Sequence, residues 1–359
     1  PIRWANGDCW GSKEPFHSRF DPSHQTSHVN SFLIVRLGSL GDIVHTIPAV
    51  AALRTRYPSA RLDWVTHPTY VELLDLVVGL DRSIPLDTRA PGSLWRGLRA
   101  LRRAQYDVVI DFQGLVKSAV IAQLSGAVRR IGFSHRDLRE SLARIFYTDT
   151  LETKEIPHVI QKNLALLGAL NITETLVQFP LKVSQVPIVS QVQQKTPDGF
   201  VVINPGAAWP NKRWEPEHFG ALASSIRATY GWHSIVLWGP GEQALAAAVV
   251  ASSDGAASIS PTTTIPELLA LAQVCKLFIS GDTGPLHLAA SVGTPIVALF
   301  GPTRPERNGP WEESDVVVSR VDQCSCVYER RCRFKHPCIN DITVPEVVAA
   351  VDRCVLTHS

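Results

Sequence analysis

Apolar and polar positions along the chain repeat in a strand–helix rhythm. Short apolar runs predict buried strands of parallel sheet at residues 31–37, 62–65, 84–86, 108–110, 200–204, 234–238, 277–279 and 295–300. Amphipathic stretches predict helices at residues 43–57, 93–104, 158–170, 216–230, 243–250, 265–272 and 345–356, and one that begins near Leu288. Strands that alternate with helices indicate an α/β fold with parallel sheets.

The rhythm is interrupted once. Residues 183–199 contain Pro187, Pro197 and a Gln-rich middle without a clear period, which is typical of a boundary between domains. A chain of 359 residues is also long enough for two domains. The predicted units are an extension (1–30), a first domain (31–185), a linker (186–199), a second domain (200–344) and a C-terminal helix (345–359). Val347, Val348 and Val351 of that helix need burial, and the first domain is the candidate surface.

The most informative stretch is residues 280–290, which follow a predicted strand and lead into a helix. Gly281 and Gly284 carry no Cβ and so let the backbone approach a ligand closely. The free N–H groups of a helix start bind phosphate well. Two interpretations stay open: Asp282 and Thr283 simply cap a helix, or the helix start holds a diphosphate.

Polar residues also follow the strands of the first half. The turn at residues 38–42 lacks the G-x-G-x-x-G spacing, which argues against a nicotinamide dinucleotide site. Asp42 either caps a helix or lies on the ligand face of the sheet. Lys117 follows another strand end, at residues 111–118, where it either pairs with an anionic acceptor or lies in solvent.

In the second half, three strand ends carry complementary chemistry. They bring Lys212, Glu242 and the turn at residues 282–284 to the same predicted edge. A cation, a carboxylate for ribose hydroxyls and a phosphate-cradling turn are what a nucleoside diphosphate requires.

Charge is distributed unevenly. The net charge is +2, which does not indicate a nucleic-acid footprint, but residues 31–185 contain 19 Lys and Arg against 14 Asp and Glu, and residues 186–359 contain 13 against 16. The basic first half suggests an anionic partner. Arg96, Arg99 and Arg103 share one face of a predicted helix, which is either a solvated face or a rim for phosphorylated glycolipid at a membrane surface. No apolar run approaches the roughly 18 residues of a membrane span.

The seven cysteines indicate a reduced compartment. Residues 1–30 lack the apolar centre of a secretory signal, so we expect free thiols and a cytoplasmic setting. Cys324, Cys326, Cys332 and Cys338 lack the paired C-x2-C of common zinc sites. Thiols packed in a loop are the default interpretation, and a zinc or cluster site is the alternative.

Several motifs resemble a known family. Residues 32–49, FLIVRLGSLGDIVHTIPA, resemble the opening of the lipopolysaccharide heptosyltransferases of glycosyltransferase family 9, and residues 111–119, DFQGLVKSA, resemble their second motif in its heptosyltransferase I form. The segments 204–206, 212–214 and 281–287 resemble their donor-domain motifs. The cysteine segment is more similar to heptosyltransferase II, so types I and II both stay open. The resemblance spans residues 31–355; it departs at Ala207 and Ala208, where the family has threonines.

The resemblance implies a GT-B fold, with two Rossmann-like domains whose parallel sheets face a central cleft. The first domain would bind the acceptor and the second the nucleotide-sugar donor. It further implies transfer of L-glycero-D-manno-heptose from ADP-heptose to Kdo or heptose of the lipopolysaccharide inner core, with inversion and without a metal or another cofactor. The acceptor, of the Kdo–lipid A type, places the enzyme at the cytoplasmic face of the inner membrane as a peripheral protein.

The resemblance also assigns roles to residues. Asp42 would be the general base, and Lys212 would bind the departing diphosphate. Asp282 would contact the heptose. The other implied donor-site residues are Thr283, Gly284, His287, Gly206 and, as ribose partner, Glu242; the acceptor-site residues are Gly41, Gln113, Lys117 and Arg136.

Two rival functions remain open. A nucleotide-sugar epimerase of similar shape would need carboxylates and histidines for proton abstraction in the donor site. A nucleotide- or glycolipid-binding protein without turnover would not need a base. The presence of both Asp42 and Lys212 argues against the non-catalytic alternative.

Overall fold

The computed structural model of the chain describes residues 29–358. The predicted N-terminal extension, residues 1–30, therefore lies almost wholly outside the described residues. Val29 already packs against the adjoining core, and the Asn30 backbone N–H donates a 2.9 Å hydrogen bond to the Asp107 carboxylate. Residues 29 and 30 thus form part of the first domain.

Two six-stranded parallel sheets frame the described residues. The first contains β1 (Ser31–Val35), β2 (Arg61–Thr66), β3 (Arg82–Pro85), β4 (Val108–Asp111), β5 (Arg129–Phe133) and β6 (Asp149–Leu151), in the order β3-β2-β1-β4-β5-β6. The second contains β7 (Phe200–Asn204), β8 (His233–Val236), β9 (Ala257–Ile259), β10 (Phe278–Gly281), β11 (Ile296–Phe300) and β12 (Val316–Ser319), in the order β12-β11-β10-β7-β8-β9. Both are doubly wound Rossmann arrangements, so the predicted α/β fold with two parallel sheets is confirmed.

Helices connect the strands and cover the sheets. They are α1 (Leu40–Val44), α2 (Ile47–Arg56), α3 (Val71–Leu74), α4 (Pro91–Ala104), α5 (Val116–Leu124), α6 (Val159–Leu166), α7 (Pro187–Lys195), α8 (Pro216–Tyr230), α9 (Gln243–Ala251), α10 (Ile265–Val274), α11 (Gly284–Ser291), α12 (Pro305–Asn308) and α13 (Val344–His358). Short 3-10 helices include Ser141–Phe146 and Pro210–Lys212. Within residues 29–358, no helix combines the length and the apolar character needed to cross a bilayer.

Each sheet has a topological switch point, where the strand order reverses, and a crevice lies there. In the first sheet this point lies between β1 and β4, and in the second between β7 and β10. Ligands of open α/β sheets bind outside the carboxyl ends of the strands at such a point. Asp42 and Gln113 follow β1 and β4, and Lys212 and Asp282 follow β7 and β10. The candidate residues therefore gather at the two crevices.

The helix predicted at residues 43–57 is two helices. Pro48 occupies the second position of α2, where its missing N–H costs nothing, whereas inside a continuous helix its ring would clash with the preceding turn. Helix α11 likewise begins at Gly284, not near Leu288, and places Pro285 in its second position. In both regions the helix therefore starts closer to the strand than predicted, so that Asp42 lies in the first turn of α1.

The segment predicted as a linker, residues 186–199, contains α7. Pro187 starts this helix, and Ile188 and Val192, four positions apart, are buried. They belong to an apolar cluster that includes side chains of both domains, such as Ile43 and Phe278, which we call the shared core. The connection between the domains is thus packed against them.

The C-terminal helix α13 packs on the second domain. Its Val347, Ala350, Val351 and Cys354 are buried in the cluster that lines the outer side of the second sheet, beside α8, β11 and β12. The expectation that the first domain covers this helix is corrected, because its apolar face completes the second domain's outer core.

The two domains meet where α1 lies against α11. A Cβ on Gly284 would stand 2.7 Å from Leu40 Cδ2, and a Cβ on Gly41 would overlap the imidazole of His287. Glycine at these two positions therefore permits the close approach of the two helices.

We predict that Gly41→Ala forces α1 and α11 apart. Overpacking of this kind typically costs about 1–3 kcal/mol, which lowers the melting temperature of a chain this size by about 2–10 °C. Differential scanning calorimetry measures the change. Gly92→Ala is the matched control, because the atom nearest to its new Cβ is the mobile Arg96 Nη1 at 3.9 Å. Equal melting temperatures for the two variants would contradict the tight contact.

Candidate active site

A buried carboxylate organises the second domain's crevice. Asp282 is 4% exposed in its side chain and lies directly after β10. Its Oδ2 accepts hydrogen bonds from Lys212 Nζ at 2.6 Å and from Thr303 Oγ1 at 2.7 Å. Its Oδ1 accepts from His287 Nε2 at 3.2 Å. One carboxylate thus holds side chains from three different loops and helices.

Asp282 is ionised at neutral pH. Burial alone would raise the pKa of this carboxyl, but the hydrogen bond from His287 and the positive charge of Lys212 outweigh burial and lower it far below its usual range. Because its side chain is only 4% exposed, Asp282 is in contact mainly with these three protein donors. A direct contact of Asp282 with a sugar hydroxyl would have to compete with these three donors.

Lys212 is fixed in direction. It ends the 3-10 helix Pro210–Lys212, and its Nζ lies 4.6 Å from the centre of the Trp209 ring and 3.2 Å from the Asp282 carbonyl oxygen. The ammonium group is therefore held at the carboxyl end of β7, beside the start of α11. A cation placed at a helix N-terminus reinforces anion binding there.

The start of α11 is braced from the neighbouring strand. Thr283 is the N-cap residue, and its Oγ1 accepts a 3.1 Å hydrogen bond from Asn204 Nδ2. Ser280 Oγ lies 2.9 Å from the same amide. The Thr283 side chain makes no hydrogen bond to a backbone N–H of α11. The N–H groups of Gly284 and Leu286, in the first turn, therefore have no partner within the helix.

Glu242 lies above the end of β7. A Cβ on Gly206 would overlap its carboxylate, so glycine is required there for Glu242 to occupy this position. Arg213 Nη2 approaches Glu242 Oε1 at 3.4 Å, and the Gly239 N–H donates to Oε2 at 3.2 Å. Arg213 Nε also donates to the Ala207 carbonyl oxygen at 2.8 Å. Glu242, Gly206 and Arg213 thus form a second polar group at the carboxyl edge of the second sheet.

Asp42 differs from Asp282 in its exposure. Its Oδ1 pairs with Arg36 Nη2 at 2.6 Å, and its Oδ2 accepts from the Ser39 N–H at 3.0 Å and the Ser39 hydroxyl at 2.9 Å. The side chain is nevertheless 33% exposed. The N-cap residue of α1 is therefore Ser39, and Asp42, in the third helical position, completes a capping box with it. Oδ1, with a single partner, retains capacity for a further hydrogen bond.

The pKa of Asp42 is lowered. Burial acts in the opposite direction, but the Arg36 guanidinium and the Ser39 hydrogen bonds outweigh it, and Arg307 of the second domain adds to the effect. Asp42 is therefore ionised at neutral pH and can accept a proton.

Three imidazoles line the domain contact. The rings of His45 and His287 lie 4.3 Å apart in an edge-to-face arrangement, and His158 lies 6.0 Å from His45. His158 Nε2–H donates to the Gly309 carbonyl oxygen at 3.2 Å, while Nδ1 accepts from the Ile160 N–H. Those two bonds fit a neutral His158. Histidines from both domains thus pack between the two crevices.

The residues predicted to bind the acceptor do not all lie together. Gly41 lies beneath His287 in the domain contact. Gln113 Oε1 accepts a 2.8 Å hydrogen bond from the Leu37 N–H and so braces the end of β1. Lys117 is exposed in the first turn of α5, and Arg136 is exposed and pairs with Glu152 at 3.1 Å.

Sequence reasoning missed several residues of the site. Thr303 binds Asp282, Arg36 binds Asp42, and Asn204 binds Thr283. Thr303 follows the end of β11, so the strand-end rule used for the other residues would have indicated it. His45 and His158 gave no such signal, because only the packing of the two domains brings them together.

The four cysteines are near one another in the loop before α13. Cys332 Sγ lies 3.7 Å from Cys326 Sγ, and the Cys326 N–H donates to Cys324 Sγ at 3.4 Å. Burial and the neighbouring Cys324 raise the pKa of the Cys338 thiol to about 12. Across residues 29–358, no group of three or more His, Cys, Asp or Glu side chains is arranged to hold a metal ion. The geometry here is that of packed free thiols.

Known proteins share this fold. A glycosyl transferase family 9 structure from Veillonella parvula has a TM-score of 0.79 at 22% identity and covers 91% of this chain and 97% of its own. The Escherichia coli heptosyltransferase WaaC with ADP has a TM-score of 0.72 at 24% identity and covers 90% and 99%. These likenesses identify the architecture as GT-B, as predicted.

The sequence comparisons go further. Lipopolysaccharide heptosyltransferase 1 of Pseudomonas aeruginosa is 27% identical over 316 residues, which cover 84% of this chain and 87% of that protein. The family model for "Glycosyltransferase family 9 (heptosyltransferase)" matches residues 94–337. Fold and sequence together define a glycosyltransferase of GT-B type. The chain belongs to glycosyltransferase family 9, the heptosyltransferase family.

We predict that the domain contact weakens in mild acid. Burial is the main cause of the lowered pKa values of His45 and His158; the neighbouring imidazoles and Arg36 add to it at His45, while Asp282 acts against it. In the unfolded chain these groups protonate near pH 6.5. Stability is therefore complete above about pH 6.5 and falls below it, by up to about 1.4 kcal/mol per pH unit for each group.

Urea denaturation between pH 7.5 and 5 measures this dependence. His45→Gln should make the decline shallower, because one of the two groups no longer binds a proton on unfolding. His135→Gln, at an exposed position, is the control and should leave the slope unchanged. A wild-type stability that does not change over this pH range would refute the prediction.

Proposed function

We propose that the chain transfers L-glycero-D-manno-heptose from ADP-heptose to Kdo, or to heptose, of the lipopolysaccharide inner core. The observation that carries the proposal is the direct contact of α1 with α11. In this contact the first turn of α1, which carries the partly exposed, ionised Asp42, lies against α11, whose N-terminus is next to Lys212 and Asp282. A base from one domain and a diphosphate site from the other are the two parts that glycosyl transfer needs.

In the proposed reaction, an acceptor hydroxyl attacks the anomeric carbon of the donor while Asp42 takes the hydroxyl proton. General base catalysis of this kind contributes typically 10²- to 10⁴-fold. The new C–O bond forms on the face opposite the breaking bond to ADP, so the anomeric configuration inverts. The reaction yields one heptosylated acceptor and one ADP, and the proton is left on Asp42.

The leaving diphosphate gains negative charge as its bond to the sugar breaks. Lys212 Nζ and the N-terminus of α11, with Thr283 and Gly284, are arranged to stabilise that charge. Asp282, Thr303 and His287 act by holding Lys212 and the helix start in place. These groups supply the electrostatic stabilisation without a metal in the proposed mechanism.

Glu242 is proposed as the partner of the ribose hydroxyls. Its carboxylate lies over Gly206 at the end of β7, at the carboxyl edge of the second sheet, and Arg213 sets its direction. Ala207 and Ala208 offer no side-chain hydroxyl to the donor. Backbone groups of this loop, which Arg213 braces, would take over those hydrogen bonds.

The acceptor is proposed to enter from the first domain. Gln113 lies beside the end of β1, and the exposed cations Lys117 and Arg136 suit the carboxylate and phosphate groups of a Kdo–lipid A type acceptor. An acceptor of that kind is anchored in a bilayer. The enzyme would accordingly work as a peripheral protein at the cytoplasmic face of the inner membrane.

We predict that Asp42→Asn reduces kcat by about 10²- to 10⁴-fold and leaves ADP affinity within about twofold. The amide keeps the shape of the side chain but cannot accept the hydroxyl proton. Mass spectrometry of a Kdo-terminated acceptor incubated with ADP-heptose measures transfer, and calorimetry measures ADP binding. Asp322→Asn is the control, at a carboxylate that is almost fully exposed. A parallel loss of ADP binding would assign Asp42 a structural role instead.

We predict that Lys212→Ala weakens ADP binding by about 10- to 100-fold, because a hydrogen bond to a charged group is lost. Lys212→Arg keeps the charge and should retain part of the affinity. Lys335→Ala removes an exposed lysine of the same domain and should have no effect. Melting curves of the free proteins separate loss of binding from loss of fold. Unchanged affinity and rate in Lys212→Ala would remove Lys212 from the site.

Nucleotide selectivity separates the alternatives. Stabilisation by ADP, and not by UDP or NAD, supports the transferase. Stabilisation by UDP alone would favour the epimerase interpretation. Binding of ADP-heptose without any ADP release in the presence of acceptor would favour the non-catalytic binding protein.

A further inference from the structure

The first domain has an outer layer of helices that the second domain does not cover. We define the outer layer as α4, α5 and the 3-10 helix Ser141–Phe146. Leu98 and Leu101 of α4 and Ile121 of α5 pack in one cluster on the same side of the first sheet. Ala119 of α5 packs against Ala143 of the 3-10 helix. The opposite side of this sheet faces the shared core, so among the described residues the outer layer lies on the side of the first sheet away from that core.

This face exposes large apolar side chains. Trp95 is 70% exposed, Leu142 68%, Ile145 71% and Val128, in the loop after α5, 85%. Arg102 of α4 lies beside Gly126, two residues before Val128, with 3.6 Å between its Cγ and a Cβ built on the glycine. The four exposed apolar side chains thus belong to adjoining elements of the outer layer. Large exposed apolar side chains on adjoining elements are typical of an interaction surface.

The same face is strongly cationic. Helix α4 contains Arg96, Arg99, Arg102 and Arg103 and no acidic residue, and all four side chains are exposed. Within the described part of the chain, none of the four has a carboxylate within ion-pair distance, whereas Arg54 and Arg320 elsewhere do. Arg99, Arg102 and Arg103 line an open groove. Unpaired cations held together on one helix favour a dense array of negative charge.

From these observations, we propose that the outer layer docks on the surface of an anionic lipid bilayer. Trp95 suits the headgroup region, because its ring is apolar and its N–H is polar, and Leu142, Ile145 and Val128 suit the adjoining acyl boundary. The arginines bind lipid phosphates. A second copy of this chain is a poor occupant, since a two-fold contact would set the same four cations against each other.

Docking in this way also orients the proposed active site. In a parallel sheet the helix after a strand begins at the carboxyl edge, so the first turns of α4 and α5 lie at the same edge of the first sheet as Asp42, with α5 next to the crevice between β1 and β4. Lys117 is in the first turn of α5. The bilayer would therefore lie beside the acceptor side of the crevice. This consequence, unlike the docking itself, rests on the proposed function.

Sedimentation with sucrose-loaded vesicles tests the docking. We expect the full chain to bind vesicles of phosphatidylcholine with 40% phosphatidylglycerol and to bind pure phosphatidylcholine far less. Replacing Arg96, Arg99, Arg102 and Arg103 with Gln should lower partitioning by more than about 100-fold, and raising NaCl from 50 to 500 mM should release the wild type. Trp95→Ser should lower partitioning by about tenfold.

The matched control replaces four exposed cations of the second domain with Gln, which gives the same change in net charge. These cations are Arg330, Arg331, Lys335 and Arg353. The control should bind anionic vesicles within about threefold of the wild type. If both quadruple variants lost vesicle binding equally, net charge alone would explain the loss, and the proposal would be overturned. Stronger wild-type binding to polyglutamate than to anionic vesicles would instead indicate an acidic protein partner.

A transfer assay keeps the two proposals separate. With a deacylated, soluble acceptor, the α4 variant should transfer heptose as fast as the wild type, and only transfer to acceptor embedded in vesicles should fall. Transfer to soluble acceptor without vesicle binding would refute the docking surface alone. Vesicle binding without any transfer from ADP-heptose would refute the proposed function alone.

Discussion

The close approach of α1 and α11 is the constraint on which the rest of the structure depends. Each helix start follows the central strand of its sheet, and each presents a glycine where a side chain would separate the two. Gly41 leaves room for His287, and Gly284 leaves room for Leu40. Because His287 also donates a hydrogen bond to the Asp282 carboxylate, the fit between the domains and the arrangement of side chains around Asp282 are set by the same contact.

Two aspartates of the crevice are kept ionised by different surroundings, and the difference separates their roles. Asp282 is surrounded by donors. Its interactions with His287 and Lys212 lower its pKa by more than burial raises it. Asp42 also has three donors around it, Arg36 and the N–H and hydroxyl of Ser39, but its side chain is 33% exposed. The side chain of Asp282 is 4% exposed, so this carboxylate can position its partners but is hardly accessible to a ligand. Asp42 is the accessible one of the two carboxylates.

The sequence predicted the fold and the strand-end positions of the site because both follow from local patterns. Apolar runs and glycine turns located eight strands and placed Asp42, Lys212 and Asp282 at strand ends. Strands β5, β6 and β9 escaped detection because they are short or, as with Arg129 and Arg130 in β5, carry charge. Strand β12 was missed although its three valines match the pattern of the strands that were predicted. Helix α7 escaped because only Ile188 and Val192 mark its buried side.

What the sequence left open depends on contacts between distant residues. The surface that covers α13 follows from which domain offers a matching apolar face, and no local pattern encodes that. Likewise, Thr303 reaches Asp282 from the loop after β11, and His45 meets His287 from another domain. Such pairings depend on how the chain folds. The residue types of the site were therefore predictable from the sequence, but the contacts among them were not.

The tethering of Lys212 to Asp282 has a consequence for selectivity among anions. An ammonium group that already has a carboxylate partner is nearly neutral as a pair, and a small inorganic ion such as chloride or orthophosphate gains little by approaching it. A longer polyanion can touch the ammonium and the adjacent helix start at once, and the sum of both contacts can exceed the cost of disturbing the pair. The Lys212–Asp282 pair would thus discriminate by the length of the anion as well as by its charge, and small ions in the surroundings would compete poorly.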